Sequence, residues 1–219
     1  MTDDKYAQGK TPDVLNTRGL SAKRDYVLSL ESRADGEALS LLTECLCDES
    51  WYLRDLAEQA FLKLGERGAK ALLPLLGQGL WFTRTSAARV LGRLGYRPAV
   101  PGLFQLTEDP NDTVAAAARD ALVAIGVQRG AIRLAWTLHR MPPHVRRRRL
   151  EEIALRDRVL TERIERLTRS EELMSAEDID ALSDDSPAVR ASEEGVEWEV
   201  LTGPPPPKEH PGEAISGHG

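Results

Sequence analysis

Apolar residues recur every three or four positions along most of the chain up to residue 170, a spacing that predicts amphipathic helices. Three stretches superimpose without gaps: WYLRDLAEQAFLKLG (51–65), WFTRTSAARVLGRLG (81–95) and DTVAAAARDALVAIG (112–126), at offsets of 30 and 31 residues. Corresponding positions are alike in kind: Ala57, Ala87 and Ala118; Ala60, Val90 and Ala121; Leu64, Leu94 and Ile125; Gly65, Gly95 and Gly126. Small residues in mid-helix let a neighbouring helix come close. The closing glycines predict a stop in the left-handed conformation.

A second helix is expected after each of these, over residues 69–76, 98–106 and 130–138. Pro74 and Pro101 fall inside two of them and should bend or open the helix there. Residues 22–32 and 37–47 read as a first, degenerate pair, giving four helix pairs across residues 21–140. No pair of this length can bury both its apolar stripes alone, so the pairs should stack around one continuous interior as an all-α solenoid.

Beyond residue 140 the pattern lengthens. Leu150, Ile153, Leu160, Ile164 and Leu167 keep a three-and-four alternation, with Asp157 interrupting it, and predict one long amphipathic capping helix within 141–170. After Ser170 the periodicity fades into acids, Ser, Gly and a run of four prolines at 204–207, so residues 171–219 are expected to be disordered, as are residues 1–20. The segment 193–203 alternates Val196, Trp198 and Val200 with acids, a pattern suited to strand addition on a partner. Around residues 178–182 a short acidic helix could fold against basic residues.

Composition sharpens this picture in three places. Aromatics make up only 5% while Ala and Leu abound, which favours helix over sheet. Charge is split: residues 171–219 carry thirteen acids against Arg190 and Lys208, leaving 22 acids and 27 bases before them. A mildly basic folded part with an acidic tail points to an anionic partner or to a tail that folds back. Cys45 and Cys47 lie two apart, on different faces of a helix, and read as free thiols of a reducing cytoplasm. No run of apolar residues is long enough for a membrane span, and the first residues lack the features of a secretory signal.

The stretch LGRLGYRPAVPGLFQLTEDPNDTVAAAARDALVAIG resembles short HEAT repeats of the phycobilisome-lyase-like type, over about residues 50–140. That resemblance implies a right-handed solenoid of about four hairpins whose second helices line the concave face. It is specific to fold rather than to activity. In the family an acid or Asn opens the first helix and a Val-Arg pair follows; Asn111 and Asp112 fit, but Ala115 replaces the arginine. Two repeats open instead with Trp51 and Trp81, and keep Arg54 and Arg84.

Candidate functional residues fall into four groups. Arg129, Arg133, Trp136 and Arg140 form one stripe on the last second helix, either a binding stripe or a cover for the core edge. Arg146, Arg147, Arg148 and Arg149 are the densest basic run, suited to an acidic protein or nucleic acid, or else to pairing with Glu151, Glu152 or the tail. Trp51 and Trp81 share a repeat position and should pack at the seam between repeats, the alternative being an exposed pair that anchors a partner. Arg54 and Arg84 should form a ladder with acids of adjacent repeats.

Trp51 with Asp55 also resembles the aromatic-plus-acid pair of HEAT-like DNA glycosylases that excise alkylated purines, although the sister repeat has Thr85 in place of the acid. His139, His144, His210 and His218 show no metal-ligand spacing, and no phosphate-loop, dinucleotide or nucleophile-elbow motif occurs, so neither metal nor cofactor is expected. The favoured reading is a non-enzymatic scaffold or adaptor for a protein partner, contacted through Arg133, Trp136, Arg140 and the four arginines at 146–149, with the tail as tether or self-inhibitory arm. A nucleic-acid-binding module stands second, and a bilin-lyase role third, by family analogy alone.

Overall fold

A computed structural model describes residues 20–190 apart from 34, 178, 180, 181, 183, 185 and 188. Among these the chain is all-helical, and no helix is long and apolar enough to cross a membrane. Five hairpins follow one another: α1 (Leu20–Leu30) with α2 (Gly36–Leu46), α3 (Trp51–Leu64) with α4 (Glu66–Leu72), α5 (Trp81–Arg93) with α6 (Val100–Leu106), α7 (Asp112–Ile125) with α8 (Ala131–His139), and α9 (Pro143–Ala154) with α10 (Arg158–Leu167). A short α11 (Glu171–Ser175) follows. First helices pack side by side from α1 through α3 and α5 to α7, second helices from α2 to α8 and on to α10, and the two layers enclose one core. The architecture is an α-solenoid.

The repeated small residues hold the layers together. Ala57, Ala60, Ala87, Val90 and Ala118 are fully buried, and Ala121 nearly so. Helix α5 lies between α3 and α7 and buries Thr83, Thr85, Ser86, Ala87 and Ala88 around most of its girth. Its tightest contact is Gly92, where an added Cβ would stand 2.7 Å from both the Cα and the Cβ of Ala121. That position carries glycine because α7 passes where a side chain would be.

Gly65 and Gly95 stop their helices at φ +62°, as their place in the repeat predicts. Gly126 does not. Its φ is −59°, the backbone runs on through a widened turn (Gly126–Gly130), and the positive φ falls on Arg129 instead. Gly126 instead leaves room for buried leucines, since a Cβ there would meet the side-chain tips of Leu134 and Leu160 at 2.6 Å and push them aside. Pro74 breaks the regular helix as expected, tightening the end of α4 into a 3₁₀ turn (Leu73–Leu76). Pro101 does not bend or open α6: it falls in the first turn, where its missing amide costs nothing, after a second 3₁₀ turn (Arg97–Ala99) that holds Pro98.

The arginine ladder is half built. Arg84 donates to both carboxylate oxygens of Asp109 (2.7 and 3.1 Å) and to the carbonyl of Gly79. Arg54 likewise reaches back to carbonyls of its own preceding loop, Asp48 and Glu49, at 2.8 Å each. The next loop offers Gln78 in the register of Asp109, so no ion pair is available, and the Arg54 guanidinium lies over the Phe82 ring at 4.5 Å.

Two expectations for the C-terminal part are corrected. The long capping helix is two helices, α9 and α10, which add a fifth hairpin. The chain leaves α9 at Leu155, and the Asp157 side chain caps α10 by accepting from the amide of Leu160 at 2.8 Å. Within 171–190, read as disordered, the described residues include α11 and a strap that returns over α8 and buries Leu173, Met174, Ile179 and Val189. Its anchor is Asp184, 5% exposed, whose two carboxylate oxygens accept from the amides of Ala131 and Ile132 at the start of α8 (3.2 and 3.3 Å) and pair with Arg163 at 3.0 Å. The first turn of α8 lacks a cap from its own preceding residue, and a carboxylate from the strap occupies that site, where the helix dipole favours it. The segments 1–19 and 191–219, with the alternating Val196, Trp198 and Val200, lie outside the described residues, as does most of the acidic stretch around 178–182.

Three outcomes in urea denaturation follow. Gly92→Ala should lose about 1–2 kcal/mol, because overpacking against α7 outweighs the gain in helix propensity. Gly102→Ala, whose Cβ would meet only the tip of Leu76, is the control and should change little. Asp184→Ala should lose about 2–3 kcal/mol, since it strips a buried ion pair and two amide acceptors at once. Asp184→Asn, which keeps an oxygen, should lose less.

The third outcome concerns pH. Burial alone would raise the Asp109 carboxyl, but Arg84 and the amide of Asn111 more than offset it and hold the group below its ordinary range. A carboxyl depressed in the folded state contributes stability that is complete above its unfolded pKa of about 4 and is lost as pH falls through the lower folded value. Asp109→Asn should therefore lower stability at pH 7 and flatten the loss seen on acidification below about pH 5.

Candidate partner-binding surfaces

Of the predicted stripe, Arg133, Trp136 and Arg140 lie together along α8 and its C-terminus, whereas Arg129 falls in the turn before it at φ +75°, and much of the stripe is already engaged. The Arg140 guanidinium lies 3.5 Å from the Trp136 ring centroid and that of Arg133 lies at 5.3 Å, so the indole is held between two cations. Trp136 Nε1 donates to the carbonyl of Ala176 at 3.1 Å, and Arg140 donates to that of Met174 at 3.3 Å. Further along, Arg97 donates to Leu182 at 2.6 Å. The strap thus runs across the face of α8 and uses Trp136 as a seat. Trp136 and Arg133 are half-buried, while Arg140 keeps an exposed side.

The four arginines at 146–149 divide. Arg149 is buried and pairs with Glu108 and with Glu152 at 2.8 Å. Arg148 reaches the same two acids, at 2.7 and 3.3 Å. These hydrogen bonds, from Arg148 first and Arg149 next, hold the Glu108 carboxyl below its usual range. The cluster ties the loop after α6 to α9, and Arg119 joins it through Glu152 at 3.7 Å. Arg147 pairs with Glu151 at 3.1 Å on the open surface, and Arg146 donates to the carbonyl of Met141 at 3.5 Å. Arg146 and Arg147 line a hollow between α9 and α10 with Leu150 and Thr161. Three of the four charges are met by acids within the chain, although Arg147 and Arg148 keep exposed side chains.

Two adjoining hollows open over the second helices. One, of about 570 Å³, lies between the Leu73–Leu76 turn, α6 and the loop after it, lined by Leu73, Pro74, Leu76, Gln105 and Glu108. The other, of about 390 Å³, lies between α6, α8 and α9, lined by Phe104, Gln105, Glu108, Arg140, Met141 and Arg149. Gln105 and Glu108 border both, so the two form one trough with an apolar floor and a charged margin. A further groove of about 610 Å³ crosses the first helices, floored by Gly92, Ala117, Ala121 and Ala124 and edged by Arg89, Arg93 and Asp120. Gln105, Glu108 and Met141 escape sequence reasoning because they come from separate repeats and none is unusual by itself.

Trp51 and Trp81 are not seam residues. They are 71% and 46% exposed, and Leu80 beside Trp81 is 57% exposed. In the first turn of a helix, side chains lean back past its N-terminus, so the seam is filled by the half-buried Tyr52 and Phe82 that follow. Each indole meets its neighbour edge-on, Trp51 on Tyr52 at 6.0 Å and Trp81 on Phe82 at 5.7 Å. Asp55 is an exposed carboxylate accepting from Gln59 at 2.8 Å and lines none of these hollows. Cys45 is buried and Cys47 exposed, on different faces as their spacing predicts. Among the described residues no group of His, Cys, Asp and Glu is placed to hold a metal ion.

A family model described as HEAT repeats matches residues 69–156, from within α4 to just beyond α9. Among solved structures the chain is similar to one in the complex of CpcE and CpcF of phycocyanin lyase from Nostoc sp. PCC7120, at 20% identity and a TM-score of 0.40, covering 80% of this chain and 72% of that one. No curated protein sequence matches the chain. The match over residues 69–156 falls on the stacked hairpins from α4 to α9, so this part of the chain is similar to HEAT repeats in sequence as well as in its helical stacking.

Proposed function

We propose that this chain is a non-enzymatic scaffold or adaptor that binds a protein partner, and that the partner lies in the trough over its second helices. The trough carries the reading: two hollows that meet at Gln105 and Glu108, with the half-buried Leu73 and Met141 in their walls and the buried Leu76 and Phe104 beneath, between charged margins. Apolar anchors ringed by polar groups are what a protein segment of helical or extended shape needs in order to be held and oriented. Of the residues favoured from sequence, Arg140 and Arg149 line this trough; Arg146 and Arg147 face the neighbouring hollow, Arg148 braces Glu108, and Arg133 and Trp136 seat the strap.

The charged groups here, Arg84 with Asp109 and Arg149 with Glu108, satisfy one another. That arrangement suits a firm recognition surface better than an acid or base poised for proton transfer. Nucleic-acid binding, the second reading from sequence, gains no support from arginines already neutralised by Glu108, Glu151 and Glu152.

Affinity capture from a lysate of the source cells with the wild-type chain, compared with a Gln105→Arg, Met141→Glu double variant, tests the proposal. The principal captured protein should be lost by about tenfold or more, equivalent to about 1.4 kcal/mol of binding. An identical set of captured proteins would refute the trough as the binding surface. Sub-micromolar binding of a fluorescent DNA duplex at moderate salt would replace the reading with the nucleic-acid one.

A further inference from the structure

The two exposed tryptophans begin α3 and α5, helices that pack side by side, and the Arg54 guanidinium over Phe82 joins their two aromatic pairs into one rim. Adjacent helix axes stand about 8–10 Å apart, so equivalent side chains on neighbouring repeats recur at about that interval. A polyproline II helix has three residues per turn and rises about 3.1 Å per residue, which places every third residue on one face about 9 Å apart. The two intervals agree. A rim of indoles at one-repeat spacing therefore matches the pitch of a polyproline II segment, whose rings stack on aromatic faces and lose little entropy in doing so.

The chain supplies such a segment. Gly203 is followed by four prolines, and Pro204 and Pro207 are three apart, hence on one face of a polyproline II helix. The described chain ends at Arg190, just after the strap residues held by Arg97 and by the start of α8. That is the rim of the solenoid opposite to Trp51 and Trp81. The intervening distance is about one helix length, about 21 Å for fourteen residues, plus one or two repeat steps, and totals about 30–40 Å. Thirteen residues lie between Arg190 and Pro204, fourteen residue steps in all. At about 3.3 Å per step these reach about 46 Å when extended, which is enough. The exposed apolar surface of Trp51, Leu80 and Trp81 is also what a soluble protein ordinarily covers.

We propose that the proline run 204–207 docks in cis on the aromatic rim, Pro204 and Pro207 each stacking on one of Trp51 and Trp81. The C-terminal segment then returns across the solenoid a second time, after the strap, and the rim becomes a site that a proline-rich segment of another protein can enter only by displacing the chain's own.

The test uses the full chain and a variant with Pro204→Ser, Pro205→Ser, Pro206→Ser and Pro207→Ser. Indole N–H signals of the four tryptophans are recorded by NMR and assigned by single Trp→Phe changes. The Trp51 and Trp81 signals should differ between the two proteins while Trp136, held on Ala176, stays in place. Quenching of these two indoles by acrylamide should increase by about twofold or more in the variant, since tethering supplies the run at millimolar effective concentration in the native chain. A synthetic peptide GPPPPKEHP added to the variant at millimolar concentration should move both signals back toward their native positions. Identical Trp51 and Trp81 signals in the two proteins would overturn the proposal. Signals in the native chain that change with protein concentration would overturn docking in cis, by assigning the run to a second copy.

Discussion

The closeness of α5 and α7 is the constraint on which the remaining structure depends. At Gly92 the α5 backbone lies against Ala121 with no room for a methyl group, and on either side of that point both helices bury alanines and other small residues. Dispersion between closely packed backbones replaces the contribution that large side chains make in thicker cores. With α5 held tightly, its hairpin partner α6 and the loop after it are fixed as well, and that loop presents Glu108 and Asp109. The acids in turn receive Arg84 from behind and Arg148 and Arg149 from ahead. The interior thus sets the distance between repeats, and the ion pairs use that distance.

This arrangement explains why a basic run can be structural. Four consecutive arginines cover a full helical turn, and here they are distributed around it: one inward to the Glu108–Glu152 cluster, one along its edge, one to a neighbour on the same helix, and one toward Met141. The same holds for Trp136, whose two cations and one hydrogen bond belong to the end of the solenoid. The surface left for recognition is assembled from residues that no single repeat advertises.

Much of the fold was legible in the sequence because the repeat speaks three times. Ala57, Ala87 and Ala118 fix the buried face, and Gly65 and Gly95 fix the stop. Gly126 shows the limit of that reasoning, since the same letter in the same register serves helix packing and leaves the positive φ to Arg129. The break between α9 and α10 was hidden for a different reason. Ile153 and Leu160 are seven residues apart, two turns of an uninterrupted helix, so the apolar rhythm continues across a real interruption capped by Asp157. The strap was missed because its anchors, Leu173, Met174, Ile179 and Val189, have no period and lie among acids that read as solvent-loving. Of the candidate sites, the aromatic pair was visible as a pair at the right helix starts, but its exposure was not, because first-turn side chains lean back past the helix N-terminus and leave the seam to the residues that follow.

The position of Asp184 also bears on how the molecule is made. The amide groups that start α8 wait for an acceptor 53 residues further along the chain. At a synthesis rate of about 5–20 residues per second, the fourth hairpin emerges from the ribosome about 3–10 seconds before the residue that completes it. For that interval the first turn of α8 has its amides open, and the contact that completes it can form only after the strap has been made.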